Sequence, residues 1–305
     1  DLVAFSTYVV LLATPFRLLG FILIQWQRAG AAAIRVFDIL DETPSIVEPD
    51  DAVALPDPVG RIEFDDVHFG YPVGEGEPVL RGFTATIEPG ESVAIVGATG
   101  SGKSTIARLI PRFYDVDSGS VRVDGHDVRT LALGDLRRAA ATVTDDPFLF
   151  AASVHDNVAF ARPDASDGEV QAALADAAAS DFVADLEHGP HTEVGERGLT
   201  LSGGQRQRLA IARTLLADPQ ILILDDATSA IDVAVEERIH AALDARRAGR
   251  TTILIAHRLS TIALAGRVIL LDNGAVAATG THEELLATNV RYAAILADTE
   301  QGLAL

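Results

Sequence analysis

The 305 residues contain no cysteine and no methionine, and only one tryptophan. Without cysteine there is neither a disulfide nor a thiolate metal site, and the redox compartment stays open. Basic residues are also scarce: 24 Lys and Arg stand against 44 Asp and Glu, a formal net charge of −20. Neutralising phosphates takes clustered Lys and Arg, and no such run occurs, so no nucleic-acid partner is expected. The acidic residues are spread through the chain as solvated faces and form no motif. Position 1 is Asp rather than Met and opens directly into an apolar stretch, which reads as a piece of a longer chain. A hydrophobic content of 48 per cent provides for one large or two ordinary domains and excludes a disordered protein.

Leu2 to Trp26 is predominantly apolar, broken by Pro15, Arg17 and a few hydroxyl or amide residues. As a helix rising about 1.5 Å per residue it is long enough to cross a hydrocarbon layer of roughly 30 Å. A secretory signal would be shorter and would follow a basic start. Trp26 suits a membrane interface, and Arg28 and Arg35 suit a cytoplasmic flank. Arg17 is costly in lipid unless it faces a cavity, so a buried helix of a soluble protein stays open as the alternative. From Ala29 to Leu40 small and apolar residues recur at helical spacing, continuing the helix as a stalk until Pro44 ends it. Residues 1–40 are thus expected to form a transmembrane and stalk helix, and 41–58, rich in Pro and Asp, a linker.

Beyond it lie β-type runs at Arg61 to Phe69 and Thr84 to Glu88, then the apolar run Ser92 to Val96 and the string GATGSGKS, Gly97 to Ser104. That string fits a phosphate-binding loop, and it sits between a strand-like and a helix-like stretch, the latter from Lys103 to Arg112. A backbone that curls around a triphosphate tolerates no side chains in its way, and its N–H groups then form an anion nest. Lys103 would reach the β- and γ-phosphates, and Ser104 would place its hydroxyl on Mg2+ with help from an aspartate of a later acidic pair. VRVDGHDV, Val121 to Val128, reads as a hairpin turning at Asp124-Gly125. The pattern is helical and Ala-rich from Ala151 to Leu216, and strands return at Ile221 to Asp225, Thr251 to Ala256 and Arg267 to Asp272. Uninterrupted apolar runs of that kind are buried on both faces, which predicts an α/β fold with a central parallel sheet covered by helices.

LSGGQRQRLAIARTLL at Leu201 to Leu216, followed by ILILDDATSAID at Ile221 to Asp232, resembles the nucleotide-binding domain of an ATP-binding cassette transporter. With the apolar first segment, the chain looks like the C-terminal part of an exporter half-transporter, in which the last transmembrane helix runs into the ATPase domain. The resemblance implies a P-loop NTPase core of mixed or parallel sheet over 59–299, an antiparallel β subdomain, a helical subdomain at about 147–218, and a tail at 300–305. It implies ATP and Mg2+ as cofactors, and a multi-pass membrane protein of the inner or plasma membrane with this domain in the cytoplasm. Its partners would be a second half-transporter subunit, the lipid bilayer and an unidentified transported substrate.

Individual residues inherit roles from the same resemblance. Gly97, Ala98, Thr99, Gly100, Ser101, Gly102, Lys103, Ser104 and Thr105 would bind the nucleotide, with Tyr71 in FGYP stacking on adenine. A tyrosine that merely packs a strand end is the plainer reading of Tyr71. Asp225 would join Ser104 at the metal, SAID at Ser229 to Asp232 would form the loop that crosses between protomers, and His257 would contact the γ-phosphate. Ser202, Gly203, Gly204 and Gln205 would begin a helix facing the opposite protomer's ATP. Thr192 to Gly198, TEVGERG, resembles the exporter loop that senses the membrane domain.

Two positions depart from the family. Asp226 stands where a glutamate usually polarises the attacking water, and its carboxylate is withdrawn by roughly one carbon–carbon bond, about 1.5 Å. Asp145 stands where a glutamine usually links metal and water to the membrane-domain contact; it still ligates a metal but adds negative charge and cannot donate as an amide does. Both changes fall on one ATP site, while LSGGQ, which serves the partner's ATP, is intact. That asymmetry predicts a heterodimer in preference to a homodimer, with a site on this chain that binds ATP and seldom hydrolyses it. A soluble cassette ATPase and a mainly regulatory ATP-bound scaffold remain the competing readings.

Overall fold

The computed structural model describes residues 1–72, 77–195, 198, 200–245, 249–256 and 258–302, excepting the side chains of 244 and 298–302. They divide into two compact units, Asp1–Val47 and Glu48–Leu305. The first unit is one helix, α1 (Leu2–Leu40), which carries Pro15 in its interior. Two of its hydroxyls are absorbed locally: Ser6 Oγ donates to Leu2 O at 2.9 Å and Thr7 Oγ1 to Val3 O at 2.9 Å. By length and composition α1 suffices to cross a membrane, and none of its residues is buried.

The second unit begins with β1 (Ile62–Phe69), β2 (Leu80–Ile87), β3 (Ser92–Gly97) and α2 (Lys103–Leu109). There follow β4 (Ser118–Val123), β5 (His126–Asp127), α3 (Leu133–Ala139), β6 (Ala140–Val143), α4 (Val154–Ala159), α5 (Asp167–Asp176) and α6 (Ser180–Ala184). The chain continues through α7 (Gly203–Ala217), β7 (Ile221–Asp225), α8 (Val233–Ala245), β8 (Thr251–Ile255) and α9 (Leu259–Ile262). It closes with β9 (Arg267–Asp272), β10 (Ala275–Gly280), α10 (His282–Thr288) and α11 (Val290–Gly302). A sheet ordered β10-β9-β3-β8-β7-β6 is parallel except for its β10–β9 edge. A second sheet, β2-β1-β4-β5, is antiparallel. The α/β class with an antiparallel sheet is the architecture the sequence predicts.

The apolar runs explain the layers. Successive strand side chains point to opposite faces, so a strand covered on both sides must be apolar throughout. In β3, Val93 and Ile95 join a core shared with the antiparallel sheet and α2, whereas Ala94 and Val96 join the core beneath α4, α5 and α7. Ile221 and Ile223 of β7 likewise face the first core, and Leu222 and Leu224 the second. Such a strand therefore cements two layers at once, each fully buried aliphatic side chain contributing about 1.5–3 kcal/mol.

Four local details differ from the sequence reading. The helix expected from Lys103 to Arg112 stops at Leu109, because Pro111 has no N–H to continue the ladder and Arg112 turns left-handed at φ 53°. The strand expected from Thr84 already starts at Leu80, and β6 arises within an alanine-rich stretch that hid it. Within the stretch read as a linker, residues 48–58 are held to the second unit. Val53 bridges Leu131, Leu55 is buried, and the Leu55 N–H donates to Asp135 at 3.1 Å. The Asp124-Gly125 turn has both residues left-handed, at φ 51° and 82°, as a tight hairpin requires. The Asp124 carboxylate also accepts from the N–H groups of Val59, Gly60 and Arg61, fixing the entry to β1.

Candidate functional site

The site is assembled at the C-terminal ends of β3 and β7. Between β3 and α2 the loop 97–102 bends tightly, with Gly100 at φ 79° and Gly102 at φ 106°. A Cβ on Gly97 would lie 2.4 Å from Leu271 O, so backbone packing demands glycine there, while at Gly102 the left-handed backbone favours it. Lys103, the first residue of α2, is buried, and its Nζ donates to Gly97 O at 2.8 Å and Ala98 O at 3.0 Å. Burial lowers its pKa, against the raising fields of Asp226 and Asp225. The next residue, Ser104, donates from Oγ to Asp225 Oδ1 at 3.0 Å, joining the loop to the end of β7.

Asp225 is only 7 per cent exposed. Burial raises its pKa, the Ser104 hydrogen bond lowers it, and the charges of Asp226 and Asp145 raise it further. Asp226 and Asp145 thus add negative charge near Asp225, which favours an incoming cation. Among the described residues no group of three or more His, Asp or Glu is placed to hold a metal alone. A Mg2+ carried on phosphates, using one hydroxyl and one carboxylate from the protein, needs no such cage. Asp226 itself has left-handed backbone, φ 50°, and its N–H donates to Ile255 O at 2.9 Å. It borders a cavity of 220 Å³ with Asp145, Ser229, His240, Arg258 and Thr261.

Tyr71 stands against α2 and not free at a strand end. Its hydroxyl lies 3.1 Å from Thr105 Oγ1 and accepts from Arg108 at 3.2 Å, and its ring meets Phe69 and Tyr114 edge-on. Ser101 is buried, with no hydrogen-bond partner for its Oγ, and Ala98, Thr99 and Gly100 are exposed. His257 and, within TEVGERG, Glu196 and Arg197 lie outside the described residues. Thr192 and Val194 of the same segment pair with the start of α4: Val154 N donates to Thr192 O at 3.0 Å and Val194 N to Ala152 O at 3.0 Å.

The segment Ser202 to Gln205 opens α7 with a capping box. Ser202 Oγ accepts from the Gln205 N–H at 3.3 Å, and Gln205 Oε1 accepts from the Ser202 N–H at 2.8 Å. Gly203 and Gly204 lie under the loop after β7; a Cβ on Gly204 would sit 2.6 Å from Ala230 O. Sequence reasoning missed what holds that loop. Gln207 bonds Asp145, Ser229 and Ala230, and Arg258 donates to Ser229 O and Ile231 O and pairs with Glu236 at 3.1 Å. Glu236, 1 per cent exposed, also accepts from Thr228 and Thr261 at 2.8 Å each. Burial pushes its pKa up, but these hydrogen bonds with Arg258 and the nearby His240 outweigh it, and the net direction is down.

Residues 80–229 match the family profile described as ABC transporter. Across 290 residues the chain is 46 per cent identical to the ABC transporter aclQ of Aspergillus oryzae, covering 95 per cent of this chain and 36 per cent of that protein. The chain belongs to the ABC transporter family. It is also 44 per cent identical to the ATP-dependent lipid A-core flippase of Syntrophus aciditrophicus, covering 95 per cent of this ABC transporter chain and 48 per cent of the flippase. Among solved structures it is similar to a bacterial Atm1-family ABC exporter with ATP bound, at TM-score 0.83 and 42 per cent identity, covering 89 per cent of this chain and 47 per cent of that one. This ABC transporter chain therefore spans between about a third and a half of the length of these relatives.

Proposed function

We propose that this chain is the ATP-binding and ATP-hydrolysing part of an ABC exporter subunit, in which ATP-driven pairing of two cassettes works a transmembrane pathway. One observation carries the reading: Lys103, Ser104 and Asp225 converge beside a loop in which Gly97 has no room for a Cβ and Gly100 and Gly102 take left-handed backbone. That donor set fits Mg-ATP. The loop N–H groups of Gly100 to Ser104 would cradle the phosphates, and Lys103 can exchange two carbonyl acceptors for phosphate oxygens. Ser104 and Asp225 offer the oxygen pair that Mg2+ prefers, with Asp145 beside them. Bound Mg2+ supplies neutralisation of the phosphate charge. Asp226 would accept the proton of the attacking water, His257 would contact the γ-phosphate, and Tyr71, with Thr105 fixing its hydroxyl, would support the adenine.

The partner is a second half-transporter subunit, whose nucleotide the Ser202 to Gln205 end of α7 would close. α1 would lie in the bilayer with the cassette in the cytoplasm. The shortened Asp226 and the anionic Asp145 support a heterodimer whose weak site is this chain's own, the competent site being the partner's. The test is trapped-nucleotide analysis of the membrane-embedded assembly after incubation with Mg-ATP. The expected result is intact ATP at this chain's site, ADP at the other, and total turnover changed by no more than about twofold by Asp226→Asn, under about 0.5 kcal/mol of barrier. Homodimers of this chain that turn ATP over at ordinary transporter rates, and lose that activity with Asp226→Asn, would refute the degenerate site.

A further inference from the structure

We infer that Gln207 is a positioning residue that couples the two nucleotide sites through one buried side-chain amide, an inference that rests on the ATP-dependent pairing proposed above. Gln207 lies in α7, little more than a turn beyond Ser202, and is 1 per cent exposed. Its Nε2 donates to Asp145 O at 2.7 Å and to Ser229 Oγ at 2.8 Å, and its Oε1 accepts from the Ala230 N–H at 3.0 Å. Both donors and an acceptor are engaged on two separate segments. Only a side chain amide of this length offers that combination without charge.

The three contacts join parts with different clients. Asp145 adjoins Asp225 and so belongs to this chain's own nucleotide. The tip of α7 would close the nucleotide on the partner. Ser229 and Ala230 belong to the loop between β7 and α8, which would run along the seam. The loop is pressed on α7 a second time at Gly204, where a Cβ would be 2.6 Å from Ala230 O. From its other side Arg258 donates to Ser229 O at 2.9 Å and Ile231 O at 3.0 Å. A shift of the α7 tip thus cannot occur while Asp145 and Ser229 stay still, unless buried polar groups are left unpaired. Closure at one site is passed by this amide to the metal and water positions of the other.

The test measures turnover by the membrane-embedded assembly against Mg-ATP concentration, and nucleotide binding separately with a fluorescent ATP analogue. Gln207→Glu keeps the length and the acceptor for Ala230 but replaces both donations. Ser229→Ala removes one acceptor and leaves the rest. Gln207→Glu is expected to lower maximal turnover about tenfold and to bring the Hill coefficient to about 1, with analogue affinity changed by less than about twofold. Ser229→Ala is expected to act in the same direction to a smaller degree, and the double variant to be no worse than Gln207→Glu alone. Unchanged turnover and cooperativity in Gln207→Glu, additive losses in the double variant, or a non-cooperative wild type would overturn the inference. If Gln207→Glu does not fold, Ser229→Ala decides alone, and unchanged cooperativity there overturns it. A wild-type assembly that takes up no analogue instead refutes the nucleotide reading, so the two failures are distinct.

Discussion

Replacing Asp226 by Glu tests the chemistry at its most exposed point. The Asp226 backbone is pinned: its N–H donates to Ile255 O at 2.9 Å, and its neighbours Asp225 and Ala227 are 7 and 3 per cent exposed. The main chain therefore cannot advance to restore the reach lost with one methylene, about 1.5 Å. A misplacement of about 1 Å costs on the order of a hundredfold in rate. Asp226→Glu should thus raise hydrolysis at this chain's own site by roughly tenfold to a hundredfold, the lower figure applying if Asp145, which has no amide to donate, leaves the attacking water poorly held. Stability should move the other way. The position is left-handed, φ 50°, which aspartate tolerates better than glutamate, so the variant should lose on the order of 1 kcal/mol and melt about 2–4 °C lower. The assay is ADP formation in single turnover by the membrane-embedded assembly, with the partner's own catalytic carboxylate neutralised. A rate within about twofold of wild type, with nucleotide binding retained, would show that carboxylate reach does not limit the site and would refute the reasoning.

Two further outcomes follow from the charges. Glu236→Ala should cost about 3–5 kcal/mol, because Arg258, Thr228 and Thr261 lose their common buried acceptor; chemical denaturation measures it. Because the folded Glu236 pKa lies below its ordinary 4.5, its stabilisation is present above that value and is lost as pH falls through the depressed folded pKa. Wild type should therefore lose more stability on acidification below that pH than Glu236→Gln, which an acid-unfolding series compares. Asp225 has the opposite sign. Its folded pKa is raised, so its charge opposes folding at neutral pH and the penalty fades on acidification. Without nucleotide or Mg2+, Asp225→Asn should melt higher than wild type, while the stabilisation conferred by Mg-ATP should be lost; thermal scans with and without Mg-ATP read both.

The sequence disclosed the parts of this molecule whose signal is local. Four parallel strands are apolar runs too short for helices, and the loop before α2 announces itself by its glycines, Gly97 having no room for a Cβ and Gly102 a left-handed backbone. The β6 strand did not, since AATV lies among alanines and is a strand only because β7 lies beside it. Tyr71 was legible as an aromatic beside the phosphate loop. Its edge-on packing with Tyr114 depends on a residue distant in sequence and could not be read. The buried polar set had a trace that went unread. Gln207, Ala210, Ile211 and Thr214 form one buried helical face, and a glutamine on such a face must have partners inside. Glu236, Ile239 and His240 repeat the pattern on α8.

The two departures from the family acquire a common meaning from these contacts. Asp145 and Asp226 both raise the pKa of Asp225, so negative charge accumulates at the position where Mg2+ would sit. Such a cluster favours taking up the cation with its nucleotide and opposes releasing it, because removal restores the repulsion among three carboxylates. On the proposed reading the shortened Asp226 would independently slow cleavage. In the degenerate site proposed above, slow cleavage and reluctant release would act together, giving a site that holds ATP for long periods and steadies the dimer. The tip of α7, whose Ser202 and Gln205 satisfy each other's backbone, would on the same reading close the partner's nucleotide. The side chains that differ are those serving this chain's own ATP, and the scaffold linking the sites, Gln207 and Arg258 around Ser229, is fully bonded. A site that had simply decayed would have no need of that linkage. In the heterodimer proposed above, it would transmit occupancy of this chain's site to the partner's.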